Sequence, residues 1–183
     1  MPVSEKTFRR VALDDPEGHW ELYCGELRSK PGMTVEHNDL MGELGFALRH
    51  QLDRAAFRVR VNSGHARRSE ANYFIPDVMV IPTALEQEQR GTRDLETYTS
   101  PLPLVVEIWS PSTGRYDARD KLPEYQRRGD AEIWFIHPYE RTLTAWRRRA
   151  DGGYDETLQR SSMIHPVALP GVAIDLDALF AEI

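Results

Sequence analysis

The sequence has one cysteine, Cys24, so it can form no internal disulfide and no four-thiolate zinc site. It has no run of about 18 apolar residues, which excludes a membrane-spanning helix. Its opening, MPVSEKTFRR, lacks the apolar stretch of a secretory signal. These absences point to a cytoplasmic protein. Basic residues are the minority, with 23 Lys and Arg against 29 Asp and Glu and a formal net charge of -6. That balance argues against a protein that coats nucleic acid by charge alone. It leaves room for an enzyme with a local basic rim. Arg58 with Arg60, Arg67 with Arg68, Arg127 with Arg128, and Arg147 to Arg149 either supply such a rim or are ordinary solvated surface. There is no HExxH helix, GxxxxGK[ST] loop, GxSxG elbow or paired CxxC, and the histidines show no zinc-ligand spacing.

What is present is a globular composition. Apolar residues make up 40% of 183 positions, enough for one domain with a real core over about residues 20–180. WELYCGELRS (Trp20 to Ser29) reads as strand, turn and strand, with Cys24-Gly25 at the bend. Val35 to Leu52 reads as a helix, since Leu40, Leu44, Ala47, Leu48 and Leu52 recur at helical spacing. Phe57 to Asn62 alternates like a half-exposed strand. Tyr73 to Ile81 and Leu104 to Trp109 are nearly continuous apolar runs, the pattern of strands buried on both faces. Pro82 to Pro103 reads as a surface excursion with a short helix. A helix from Asp117 or Asp120 to Arg128 is capped by Gly129; a start at Asp117 puts Pro123 where it removes an internal hydrogen bond, whereas a start near Asp120 puts it in the first turn, where its missing N–H costs little. Ile133 to Ile136 is a further strand, Leu143 to Leu158 a hairpin about Asp151-Gly152-Gly153, and LPGVAIDLDALF a loop with a terminal helix. The expected fold is α/β (α+β): a central mixed sheet flanked by helices, with an N-terminal and a C-terminal β-hairpin.

Two acids sit in the most apolar strands. Asp77 shares a strand face with Ile75, Met79 and Ile81, and Glu107 shares one with Val105 and Trp109. Burying a carboxylate without compensation is costly. Either acid alone is as well explained by a solvated strand end or an arginine partner. Both together, with Lys121 close downstream, point to a hard divalent cation that takes oxygen ligands from neighbouring strands. Lys121 and Tyr125 are four apart and share a helix face, which Asp117 extends. A lysine there suits charge developing on a phosphate oxygen. Helix pattern alone allows a solvated surface lysine equally.

These residues resemble the Uma2 (Uma-two) family of restriction-endonuclease-like proteins, within the PD-(D/E)XK nuclease superfamily. The motifs are WELYCGELRSKPGMTVEHNDL, IPDVMVI, LPLVVEIWSPST, YDARDKLPEYQRRGDAEIWFIHP and LPGVAIDL, in that order, from about Trp20 to Phe180. The resemblance implies a restriction-endonuclease-like domain that cleaves DNA phosphodiester bonds with Mg²⁺ or Mn²⁺. It implies Asp77 and Glu107 as metal ligands, the Ile108 carbonyl as a third, and Lys121 as the catalytic lysine moved onto the following helix. Trp109 occupies the superfamily's usual lysine position, and His137 stands where the family usually has Asp. Glu26, His37 and Tyr125 are auxiliary positions beside the site, with His37 either donating to a phosphate or capping a helix. A non-cutting binding or assembly module and an RNA- or nucleotide-processing hydrolase are the alternatives. A homodimer is expected if both strands of a duplex are cut.

Overall fold

The computed structural model describes residues 2–181 and 183. Ser4 opens α1 (Glu5–Asp14) by accepting the backbone N–H of Thr7 on its hydroxyl, and the helix buries Phe8 and Ala12. β1 (Trp20–Tyr23) and β2 (Glu26–Ser29) pair antiparallel. Between them Cys24 and Gly25 have φ of 50° and 79°, two successive left-handed residues whose twist suits a tight hairpin. Thr34 caps α2 (Val35–Gln51), which buries Leu40, Leu44 and Leu48. Then come β3 (Phe57–Val61), β4 (His65–Ser69), β5 (Asn72–Phe74), β6 (Val78–Pro82), α3 (Thr83–Gln87), β7 (Thr97–Tyr98) and β8 (Leu104–Ile108). A helical stretch follows, made of α4 (Gly114–Tyr116), a π-turn over Asp117–Lys121 and α5 (Leu122–Arg128). The chain closes with β9 (Glu132–His137), β10 (Thr142–Arg148), β11 (Tyr154–Gln159), the short pair β12 (Met163–Ile164) and β13 (Ile174–Asp175), and α6 (Leu176–Ala181).

The fold class is the mixed α/β one expected, but there are two large sheets rather than one. The six-stranded sheet runs β11-β10-β9-β8-β6-β3, and the five-stranded sheet runs β2-β1-β5-β4-β7. Each is mixed, with β8 parallel to β9 in the first and β4 parallel to β7 in the second. Alternation along β8 separates the two faces. Leu104, Val106 and Ile108 join α2 and α6 in one core. Val105 joins Met79, Ile81 and Ile133 against Phe74, Ala66 and Tyr125 on the other face. Glu107 shares that second face, between the two sheets.

Two expectations are corrected here. The apolar run Tyr73 to Ile81 is not one strand. It divides at Ile75-Pro76-Asp77, with β5 in one sheet and β6 in the other. Pro76 has no N–H to give a ladder, which makes it a natural break. The helix before Gly129 starts at Gly114, ahead of both Asp117 and Asp120. Pro123 therefore lies inside a helical stretch. The π-turn just before it, closed by Leu122 N–H on Asp117 O, absorbs the misfit and turns Asp117 and Lys121 inward. Gly129, at φ 85°, is the left-handed cap anticipated.

Candidate active site

The break at Ile75-Pro76-Asp77 frees backbone groups, and buried side chains take them up. Glu21 Oε1 accepts the N–H of Ile75 at 2.8 Å, and Lys30 Nζ donates to Ile75 O at 3.0 Å. Asp77 follows at 2% exposure. Its Oδ1 accepts from Lys30 Nζ at 2.7 Å. Its Oδ2 accepts the N–H of Ile108 at 2.6 Å and lies 3.1 Å from His37 Nε2. Burial pushes the Asp77 carboxyl up, but the Lys30 ammonium and the His37 contact outweigh it and hold the group well below the usual carboxylate range.

Glu107, at 1% exposure, faces α5 and the π-turn. Its Oε1 accepts from Tyr125 Oη at 2.5 Å and from Lys121 Nζ at 3.2 Å. Its Oε2 is buried and has no partner among the described residues. Burial drives the Glu107 carboxyl well above its ordinary value. Lys121 pulls it back only in part, and Asp117 and Asp77 push it further up. Lys121 is itself 1% exposed. Its Nζ lies 2.9 Å from Glu21 Oε1 and 3.1 Å from Asp117 Oδ1, the latter at ion-pair distance without hydrogen-bond geometry. Burial lowers the ammonium, yet Asp117, Glu107 and Glu21 together hold it well above lysine's usual value. Burial raises Tyr125 and Glu107 raises it further, so it stays a neutral donor.

The structure thus brings Asp77, Glu107, Lys121, Tyr125, His37 and the Ile108 backbone into one cluster. Glu26 does not join it: its side chain is 74% exposed, 3.7 Å from Arg28. Thr34 Oγ1, rather than the His37 ring, caps the helix; the imidazole, 0% exposed, sets Nε2 3.1 Å from Asp77 Oδ2 and leaves Nδ1 buried with no partner among the described residues. Glu21 and Lys30 join the cluster without having been expected there, and Asp117 joins it from the helix face it shares with Lys121. Glu21 alternates in a strand like any surface acid, and Lys30 follows β2 in what reads as a loop. Most members of the arginine clusters are paired with carboxylates, while Arg68 and Arg148 are exposed with no such partner among the described residues. Arg58 and Arg60 pair with Glu86, Arg67 with Glu5, Arg128 with Asp130, Arg147 with Glu132 and Arg149 with Asp155.

The residues fit a divalent cation on two counts. Fully ionised, Glu21, Asp77, Glu107 and Asp117 would set four negative charges against the two positive ones of Lys30 and Lys121; burial and mutual repulsion raise the Glu107 and Asp117 carboxyls, and a divalent ion would favour their ionised forms. Glu107 Oε2 is a buried oxygen with nothing to bind. No three His, Cys, Asp or Glu side chains among the described residues form a ready-made cage. Mg²⁺ keeps waters and takes only one or two carboxylates, so it does not require such a cage.

A family model described as "Uma2: Putative restriction endonuclease" matches residues 6–177. The chain is also similar to a crystal structure described as "a putative nuclease belonging to DUF820 from Anabaena variabilis ATCC 29413", with a TM-score of 0.80 at 15% identity, covering 99% of both chains. No curated protein matches. No helix among the described residues is long and apolar enough to cross a membrane.

Proposed function

The chain belongs to the Uma2 family, and from that premise we propose that it is a metal-dependent nuclease hydrolysing phosphodiester bonds in DNA. The observation that carries the reading is Glu107 Oε2, buried and unpartnered within a cluster of four carboxyls and two lysines. Asp77 and Glu107 would hold Mg²⁺ or Mn²⁺, with the Ile108 carbonyl as a further ligand. Ile108 N–H already donates to Asp77, and the N–H and C=O of one strand residue face the same neighbouring strand. Such an ion supplies Lewis-acid polarisation of the phosphate and acidifies a water.

The protein's own groups do the rest. Lys30, His37 and the Ile108 N–H fix Asp77 in its ionised form. Tyr125 fixes one oxygen of Glu107 and leaves the other free. Lys121 offers a compact positive charge beside Glu107, suited to charge that develops on a phosphate oxygen in the transition state. The reading extends to a cytoplasmic protein, and to a homodimer if both strands of a duplex are cut.

A binding or assembly module is the second reading. Lys121, 1% exposed and held by three carboxylates, is also how a purely structural ion network is built. Incubating the protein with Mn²⁺ and labelled single-stranded DNA, duplex DNA or RNA separates the two. Mn²⁺-dependent cleavage that chelator and Glu107→Gln both abolish supports the nuclease. Intact substrate in all three arms supports the module, and cleavage of RNA alone supports the RNA-processing hydrolase.

A further inference from the structure

Trp109, at the superfamily's usual lysine position, and His137, where the family usually has Asp, meet in space. The rings of Trp109 and His137 stack with centroids 4.3 Å apart and planes at 20°. Both follow from the parallel pairing of β8 and β9, since Trp109 N–H donates to Ile136 O at 2.7 Å and so lies beside the end of β9. Gly114 at the start of α4 makes room for the indole, because a Cβ there would collide with Trp109 Nε1 and Cδ1. Trp109 and His137 wall a cavity of about 210 Å³ with Phe135 and Trp146, and Glu107 and Asp117 line it as well. One pocket thus joins a half-exposed aromatic wall to the acidic cluster.

We propose that this cavity takes one unpaired nucleobase next to the scissile phosphate, stacked on the Trp109–His137 wall, so that the strand cut here is single-stranded at that point. The proposal rests on the nuclease reading for its phosphate, but the base-binding part stands on the aromatic wall itself. Aromatic faces serve every base, whereas a base paired within a duplex cannot leave its stack without cost. Charge points the same way. Duplex binding draws most of its affinity from cations that neutralise phosphates. Here the arginine clusters are largely spent on Glu and Asp partners, as are Lys30 and Lys121. Glu140, which also lines the cavity, adds a negative charge at its edge. A ligand that binds through its bases suits this surface better than one that binds through two backbones.

The test uses the full chain in Ca²⁺, with oligo-dT and oligo-rU octamers and a blunt 20-base-pair DNA duplex as probes. Affinity is read by fluorescence anisotropy. The expected result is tighter binding of a single-stranded octamer than of the duplex. Trp109→Ala weakens the octamer by about tenfold or more and Trp109→Phe restores most of it, while duplex binding barely changes. The dT and rU arms tell DNA from RNA. Trp146→Leu, on β10 and away from the acidic cluster, is the second variant in case Trp109→Ala folds poorly, and it too weakens octamer binding. Octamer binding that is indifferent to both variants, or a duplex preference in the wild type, overturns the proposal. Cleavage in Mn²⁺ is scored separately. Cleavage with octamer affinity unmoved by the variants sinks this inference and spares the nuclease. Trp109-dependent octamer binding without any cleavage does the reverse.

Discussion

Lys30 Nζ lies 2.7 Å from Asp77 Oδ1, with the two side chains 5% and 2% exposed. The pair joins the loop after the N-terminal hairpin to the break between the two sheets. In the absence of a divalent ion it is the closest positive charge to Asp77. Lys30→Ala leaves that carboxylate buried without its main partner, and removing one member of a buried pair costs about 3–5 kcal/mol. The loss should appear in thermal unfolding without divalent ions. It should shrink when Mn²⁺ is added, because an ion that binds only the folded state replaces the missing charge. An equal loss with and without Mn²⁺ would show that Lys30 and the ion do not serve the same carboxylate.

Lys121→Ala should lower Mn²⁺-dependent cleavage by roughly 10²–10³, the usual effect of deleting one preorganised charge-stabilising donor. Mn²⁺ should still bind. The variant also loses stability, since Glu21, Glu107 and Asp117 share that ammonium, so rates are to be compared below its unfolding temperature. Lys121→Arg should rescue little, because a planar fork does not replace a point charge among three carboxylates. Wild-type cleavage by Lys121→Ala would return Lys121 to a structural role.

Much of this arrangement is legible in the sequence, and the limits have physical causes. Asp77 and Glu107 stand out because an acid in an apolar strand demands an explanation, and Lys121 with Tyr125 because four-residue spacing puts both on one helix face. The Cys24-Gly25 turn and the Gly129 cap are written in local backbone chemistry. Asp117 is legible only as an extension of that helix face, and Glu21 and Lys30 not at all, because each looks like a surface charge until the second sheet closes over it. The break at Pro76 is masked by its apolar neighbours, which read equally well as one long strand. The π-turn is masked by Pro123, which signals a helix start unless the chain relaxes its hydrogen-bond pattern instead.

His65 gives the fold a defined acid sensitivity. Its Nε2 lies 3.0 Å from Trp20 O and its Nδ1 3.3 Å from Glu96 O. Burial lowers the ring below its ordinary value of 6.5, and the two carbonyls only partly oppose this. The folded state therefore binds fewer protons than the unfolded one between its lowered value and 6.5, and stability falls as pH drops through that window. Urea unfolding at about pH 7.5 and pH 5 should show the fall, and His65→Gln should flatten it. An unchanged slope in the variant would assign the sensitivity to other groups.

Calorimetric titration of Mn²⁺ into the wild type, Asp77→Asn and Glu107→Gln tests the central claim most directly. The account predicts saturable binding to the wild type, weakened by at least about tenfold in each variant while both remain folded. Glu107→Gln keeps the shape of the side chain and the Tyr125 contact, so its effect isolates the carboxylate charge. Equal Mn²⁺ affinity in all three proteins, or no binding to any of them, would contradict a metal centre built on Asp77 and Glu107.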